Sequence, residues 1–106
     1  MVAWAAVADL TIELDHPPAE ALYLTMRALR RVGARITRYD AEEGTLEAWA
    51  VRWRAVGLVR VRTEEVGAGV SRVRATSEPA EGPRVLARVA GAWALRRLRV
   101  ELGRGR

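Results

Sequence analysis

His16 is the single imidazole in this chain of 106 residues, and it precedes Pro17-Pro18 where an alternating segment gives way to a helical one. With one His and no Cys, the chain cannot build a multi-His or thiolate metal site, a disulfide, an iron–sulfur cluster or a Cys nucleophile. The chain also has no Lys, which removes Schiff-base chemistry and a phosphate-loop lysine. His16 has the chemistry of a general base, but no residue at a defining spacing accompanies it, and a corner His is most simply a surface residue. Asp40-Ala41-Glu42-Glu43-Gly44 reads as a turn. In it Asp40 supports the backbone through its side chain, Glu42 and Glu43 are solvated carboxylates, and Gly44 supplies a positive φ. Tyr23 and Tyr39 read as packed rings with wet hydroxyls. Gly67-Ala68-Gly69 is too short to cradle phosphate and is not followed by a helical pattern. No catalytic, cofactor-binding or metal-ligating residue is expected, and the chain is read as non-enzymatic.

What remains is charge and pattern. Eighteen basic residues, every one an Arg, face thirteen acidic ones for a formal net charge of +5. Asn and Gln are missing as well, which suits a GC-rich source and equally a heat-adapted one. At 11.7 kDa the chain is long enough for one domain with its own core. Residues 1–103 are read as that domain and 104–106 as a frayed tail. No apolar run approaches the roughly 20 residues of a membrane span. The apolar opening Val2–Ala8 lacks the preceding basic residue of a signal peptide and runs on as an alternating strand. A cytoplasmic location is therefore expected.

Elements follow from periodicity. Alternate apolar positions from Val2 to Leu14 give a long strand. Pro18 and Glu20 suit the first turn of a helix whose apolar face is Leu22, Met26, Leu29 and Val32, with Arg27, Arg30 and Arg31 on the other side and Gly33 as its stop. Ala34–Asp40, Thr45–Trp53, Leu58–Glu64 and Val70–Ser77 read as strands, the middle pair joined near Gly57. After Pro79 and Pro83, Arg84–Leu102 reads as a long helix. The order β-α-β-β-β-β-α predicts an α+β fold, a five-stranded antiparallel sheet with two helices on one face.

Two surfaces stand out. Pairing Trp53 with Leu58 and Val61 with Val73 puts Val59, Val61, Val73, Ala75, Ala48 and Ala50 toward the helices. It leaves Trp49, Trp53, Arg60, Arg62, Arg72 and Arg74 on the open face, and a one-residue slip would bury four Arg. Such a face is a solvated exterior with Trp sheltering Arg stems, a protein interface, or a surface for nucleic acid or anionic lipid. On the last helix, Val85, Leu86, Val89, Trp93 and Val100 form a stripe expected to meet the sheet. Leu95, Leu98 and Leu102 form a second stripe almost opposite, which either covers another element of the chain or meets a second copy as a homodimer contact.

Glu13-Leu14-Asp15-His16-Pro17-Pro18-Ala19-Glu20 resembles the opening of helix-grip domains of the START and polyketide-cyclase-like superfamily, where a strand ends at an acidic residue and Pro before a helix. Tyr39–Ala48 is similar to a hairpin in a short bacterial domain family with no assigned activity. The helix-grip resemblance implies a long terminal helix across a curved sheet and a pocket for a small apolar ligand, walled here by Leu22, Met26, Leu86 and Trp93. Five strands are fewer than such domains usually have. The sequence does not determine a function. Its leading expectation is a domain that acts through protein association or self-association, with apolar-ligand binding and nucleic-acid binding as alternatives and no cofactor.

Overall fold

The computed structural model describes residues 8–104. In chain order these form β1 (Ala8–Leu14), α1 (Pro18–Val32), β2 (Arg35–Asp40), β3 (Thr45–Arg52), β4 (Ala55–Gly67), β5 (Val70–Glu81) and α2 (Arg84–Arg104). The strands make one antiparallel sheet in the order β1-β5-β4-β3-β2. The β1–α1–β2 connection crosses the whole sheet, and the meander β2 to β5 returns to pair with β1. This is the expected α+β order. The expected strand from Val2 is seen from Ala8 onward, and residues 1–7 lie outside the described residues.

Local chemistry explains the boundaries. Pro17 and Pro18 open α1 in the conformation a helix start needs, and the Ala21 amide donates to the Pro17 carbonyl at 2.9 Å. Gly33, at φ 97°, ends α1, with its amide and the next bonded back to Arg30 and Leu29. Gly44 turns at φ 70° while the Glu43 amide donates to Asp40 Oδ1 at 3.0 Å, as the sequence led us to expect. Helix α2 runs through Arg104, which lies 3.5 Å from Glu101, so the helix reaches into the stretch expected to fray.

The inner face of the sheet carries Leu10, Leu14, Leu46, Ala48, Ala50, Val59, Val61, Val73 and Ala75, all buried against Leu22 and Leu29 of α1 and Leu95, Leu98 and Leu102 of α2. Buried polar residues close the β1–α1 corner. Ser71 Oγ donates to the His16 carbonyl at 2.7 Å, and Thr63 Oγ1 lies 3.2 Å from the Gly44 carbonyl and 3.4 Å from that of Pro18. Each buried hydroxyl thereby finds a backbone acceptor, as a polar group taken out of water needs.

Two expectations are corrected. Gly57 is not a turn residue: β3 and β4 join through a two-residue turn at Trp53 and Arg54, both in the left-handed region at φ 52° and 61°. Trp49, rather than Trp53, therefore faces Leu58, and Val61 faces Ala75 rather than Val73. Both displacements are even, so the side chains that remain in the strands keep their faces while their cross-strand partners change, and Trp53 leaves β3 for the turn.

The second correction inverts α2. Ala87, Ala90, Gly91 and Ala94 face the sheet with Leu95, Leu98 and Leu102, whereas Val85, Leu86, Val89 and Val100 are exposed. Leu95, Leu98 and Leu102 are thus core of their own chain and are not available to a second copy. Size decides between the two apolar stripes, because small residues let the helix backbone lie directly on the sheet.

Candidate functional site

On the open face of the sheet the true register makes cross-strand partners of opposite charges. Arg60 stands between Glu47 and Thr76 in the ladder. Its Nη1 donates to Glu78 Oε1 at 2.6 Å and its Nε lies 3.5 Å from Glu47 Oε2. Arg72 stands between Glu13 and Glu64, at 3.3 and 3.8 Å. These two expected site residues are ion-paired within the sheet. Arg62 and Arg74 differ, because they stand opposite each other, flanked by Thr45 and Thr11. Arg74 reaches Glu64 only at 4.0 Å, a carboxylate it shares with Arg72. Among the described residues Arg62 has no ion pair. A depression of about 450 Å³ opens here, and it adds Arg38, Thr45 and Thr76, which sequence reasoning missed. Only a correct register could have found them.

Trp49 belongs to this face, half-exposed opposite Leu58 and Arg35. Trp53 does not. It sits on the β3–β4 turn with Arg52 stacked over its ring at 4.6 Å, and the same guanidinium lies 4.0 Å from the Trp93 ring of α2. Arg52 is thereby held between two indoles, joining the turn to the outer side of α2.

That outer side carries a strip of exposed apolar side chains. Val85 is 65% exposed, Val100 44% and Trp53 49%, with Leu86 and Val89 also open. At 100° per residue Val85, Leu86, Val89, Trp93 and Val100 fall within one stripe. Arg88, Arg96, Arg97, Arg99 and Arg104 flank or punctuate it, and Glu101 is the one acidic residue of the helix.

His16 lines a cleft of about 560 Å³ between β1, α1 and the end of α2, with Glu13, Asp15, Arg31 and Glu101 around an apolar floor of Leu24 and Leu102. Arg31 and Glu101 are 3.9 Å apart across it. The lining offers an imidazole and carboxylates but no hydroxyl or thiol for covalent chemistry. Among the described residues no three His, Asp or Glu side chains converge to hold a metal.

The expected apolar-ligand wall is not one surface. Leu22 is buried in the core, Met26 packs at its edge, Leu86 is outside, and Trp93 lines a shallow groove of about 140 Å³ beside Gly33, Ala50 and Arg52.

No family model matches the chain, and no curated protein matches it. Its fold is similar to that of a chain in the crystal structure of the adenylate sensor from AMP-activated protein kinase, in complex with 5-aminoimidazole-4-carboxamide 1-beta-D-ribofuranotide. The TM-score is 0.57 and the identity 15%, over 82% of this chain and 93% of that one. At that identity the similarity establishes an α+β architecture shared with a solved protein, and nothing of what that protein binds.

Proposed function

We propose that the chain is a non-enzymatic association domain that uses the outer side of α2 and the β3–β4 turn to hold an acidic protein partner. The observation that carries this reading is the stripe Val85, Leu86, Val89 and Val100 turned to solvent, with Trp93 half-buried within it and Trp53 exposed beside it. Exposed apolar side chains in a continuous strip, with Trp and Arg among them, have the composition of binding hot spots. The turn adds support. A two-residue hairpin turn with both φ values positive ordinarily takes Asn-Gly, yet here it holds Trp53 and Arg54 in strained conformations. The strain keeps an indole at the tip, stacked on Arg52 and open on its other side.

Charge selects the partner. Two copies meeting through α2 would bring two strongly basic helices together, which opposes self-association, while an acidic surface with an apolar ridge complements both features. The leucines first considered for a dimer contact lie in the core, so they supply no alternative interface.

The test is site-specific photocrosslinking from position 89 in cells of the source organism, with position 43 on the opposite turn as control. A discrete heterologous product from position 89, whose purified acidic partner binds the wild-type chain and loses at least tenfold affinity for Val89→Glu, is the expected result. A product containing two copies of this chain, or no product specific to position 89, would overturn the proposal.

A further inference from the structure

A second site stands on the opposite side of the molecule, and a different observation carries it. Along the open face of the sheet, cross-strand neighbours form rows. The row Glu13, Arg72, Glu64 alternates in charge, and so does the pairing of Arg60 with Glu47 and Glu78. Between them lies a row that does not alternate: Thr11, Arg74, Arg62, Thr45. Two guanidinium groups directly opposite one another on a sheet destabilise it, and here hydroxyls take the flanking positions where the neighbouring row has a carboxylate. Arg38 opens into the same depression from β2, across the ladder from Glu47, and has no ion pair among the described residues. Four guanidinium groups and one carboxylate line the depression, a net charge of +3, and that carboxylate, Glu47, already faces Arg60.

We propose that Arg62, Arg74 and Arg38 bind a single phosphoryl group, as free phosphate or as a small phosphomonoester. The chemistry fits at each point. Guanidinium forks match the oxygen spacing of a tetrahedral oxyanion and donate charge-assisted hydrogen bonds, and Thr45 and Thr76 line the same depression with neutral hydroxyl donors. A bound dianion converts the Arg62–Arg74 repulsion into two attractions. The rim sets the size of the ligand. Glu64 and Glu13 close one end of the basic spot, and Glu47, Glu78 and Asp9 close the other, so a single phosphate sits among cations while a long polyanion would meet carboxylates on both sides. The site thus favours one phosphoryl group over a nucleic-acid backbone, and it does not depend on the α2 surface.

The experiment is calorimetric titration of the full chain at low salt with orthophosphate and with glycerol 3-phosphate. Saturable binding of one equivalent is expected for at least one of them, and the tighter of the two identifies the free or the esterified source. Arg62→Gln and Arg74→Gln should each weaken it tenfold or more, the size expected for losing a charge-assisted contact. Arg30→Gln, an equal loss of charge on exposed α1, should leave it within twofold. Without phosphate, Arg62→Gln should also raise the melting temperature at low salt, because it removes the repulsion from Arg74. The proposal fails if no saturation occurs by about 20 mM ligand. It fails equally if Arg30→Gln weakens binding as much as Arg62→Gln, if Arg62→Gln lowers the melting temperature of the free chain, or if a 20-nucleotide single strand outcompetes glycerol 3-phosphate through the same arginines.

Discussion

Gly57 of β4 and Gly91 of α2 lie backbone against backbone: a Cβ placed on Gly57 would stand 2.7 Å from the Gly91 nitrogen and 2.8 Å from its Cα. A Cβ on Gly91 would in turn meet Ser77 Cβ and Oγ at 2.7 Å. This contact sets which side of α2 faces the sheet, and so which apolar stripe is left outside. Gly57→Ala and Gly91→Ala should each lower stability by about 2–3 kcal/mol, since the first meets backbone, which cannot move aside, and the second meets a Cβ fixed to its strand rather than the far end of a flexible side chain. Gly103, also in α2, has nothing within 4 Å of a built Cβ and no positive φ, so Gly103→Ala should instead add up to about 1 kcal/mol. Urea denaturation midpoints of the three variants test the pair of expectations together.

The inversion of α2 has its own test. Leu98 is fully buried and Leu95 nearly so, whereas Val85 and Val89 face solvent. Leu98→Ala should cost about 2–5 kcal/mol. Val85→Ser and Val89→Ser should change stability by less than about 0.5 kcal/mol. Thermal unfolding with matched denaturant curves would show the contrast. Equal losses at positions 89 and 98 would mean that both stripes are buried.

The sequence pattern reached the element order and the strand faces because a strand's alternation survives any even displacement of register. Val59, Val61, Val73 and Ala75 are therefore on the expected side although their partners are not. The same tolerance hid the site. Only the true register pairs Arg60 with Glu47 and Arg62 with Arg74, and that register depends on a Trp-Arg turn that no turn preference would select. On α2, hydrophobic periodicity alone could not choose between two apolar stripes. The informative signal was size: Ala87, Ala90, Gly91 and Ala94 share one side, and Gly57 sits within a strand, the combination that marks close backbone approach.

The ion pairs of Arg60 are exposed, with its side chain 56% open, and their contribution should be small and screened. Arg60→Gln should reduce stability by about 0.5–1 kcal/mol at low ionic strength, and the difference should vanish near 1 M salt, where the screening length falls to about 3 Å. A salt series of thermal melts measures this. A loss that persists at high salt would show that the Arg60 stem, rather than its charge, holds the sheet.

The turn separates strain from recognition. Arg54 at φ 61° makes no hydrogen bond or ion pair among the described residues, while Trp53 stacks with Arg52, which reaches Trp93. An L-residue in the left-handed region costs about 1–2 kcal/mol, of which glycine gives back part through its freer unfolded chain. Arg54→Gly should therefore raise stability by about 0.5–1 kcal/mol and leave the Trp53–Arg52–Trp93 stack in place. Trp53→Ala removes one half of that stack and the exposed indole together. It should lower stability by about 1 kcal/mol, the size of a partly exposed cation–π contact with its packing. If the turn is strained in order to present Trp53, Arg54→Gly keeps the affinity of the position-89 partner within about threefold, while Trp53→Ala loses tenfold or more, as truncating a hot-spot residue does. Denaturation curves read the first difference and partner titration the second. A Trp53→Ala variant that binds as wild type would leave the turn as a stacking device for the fold alone.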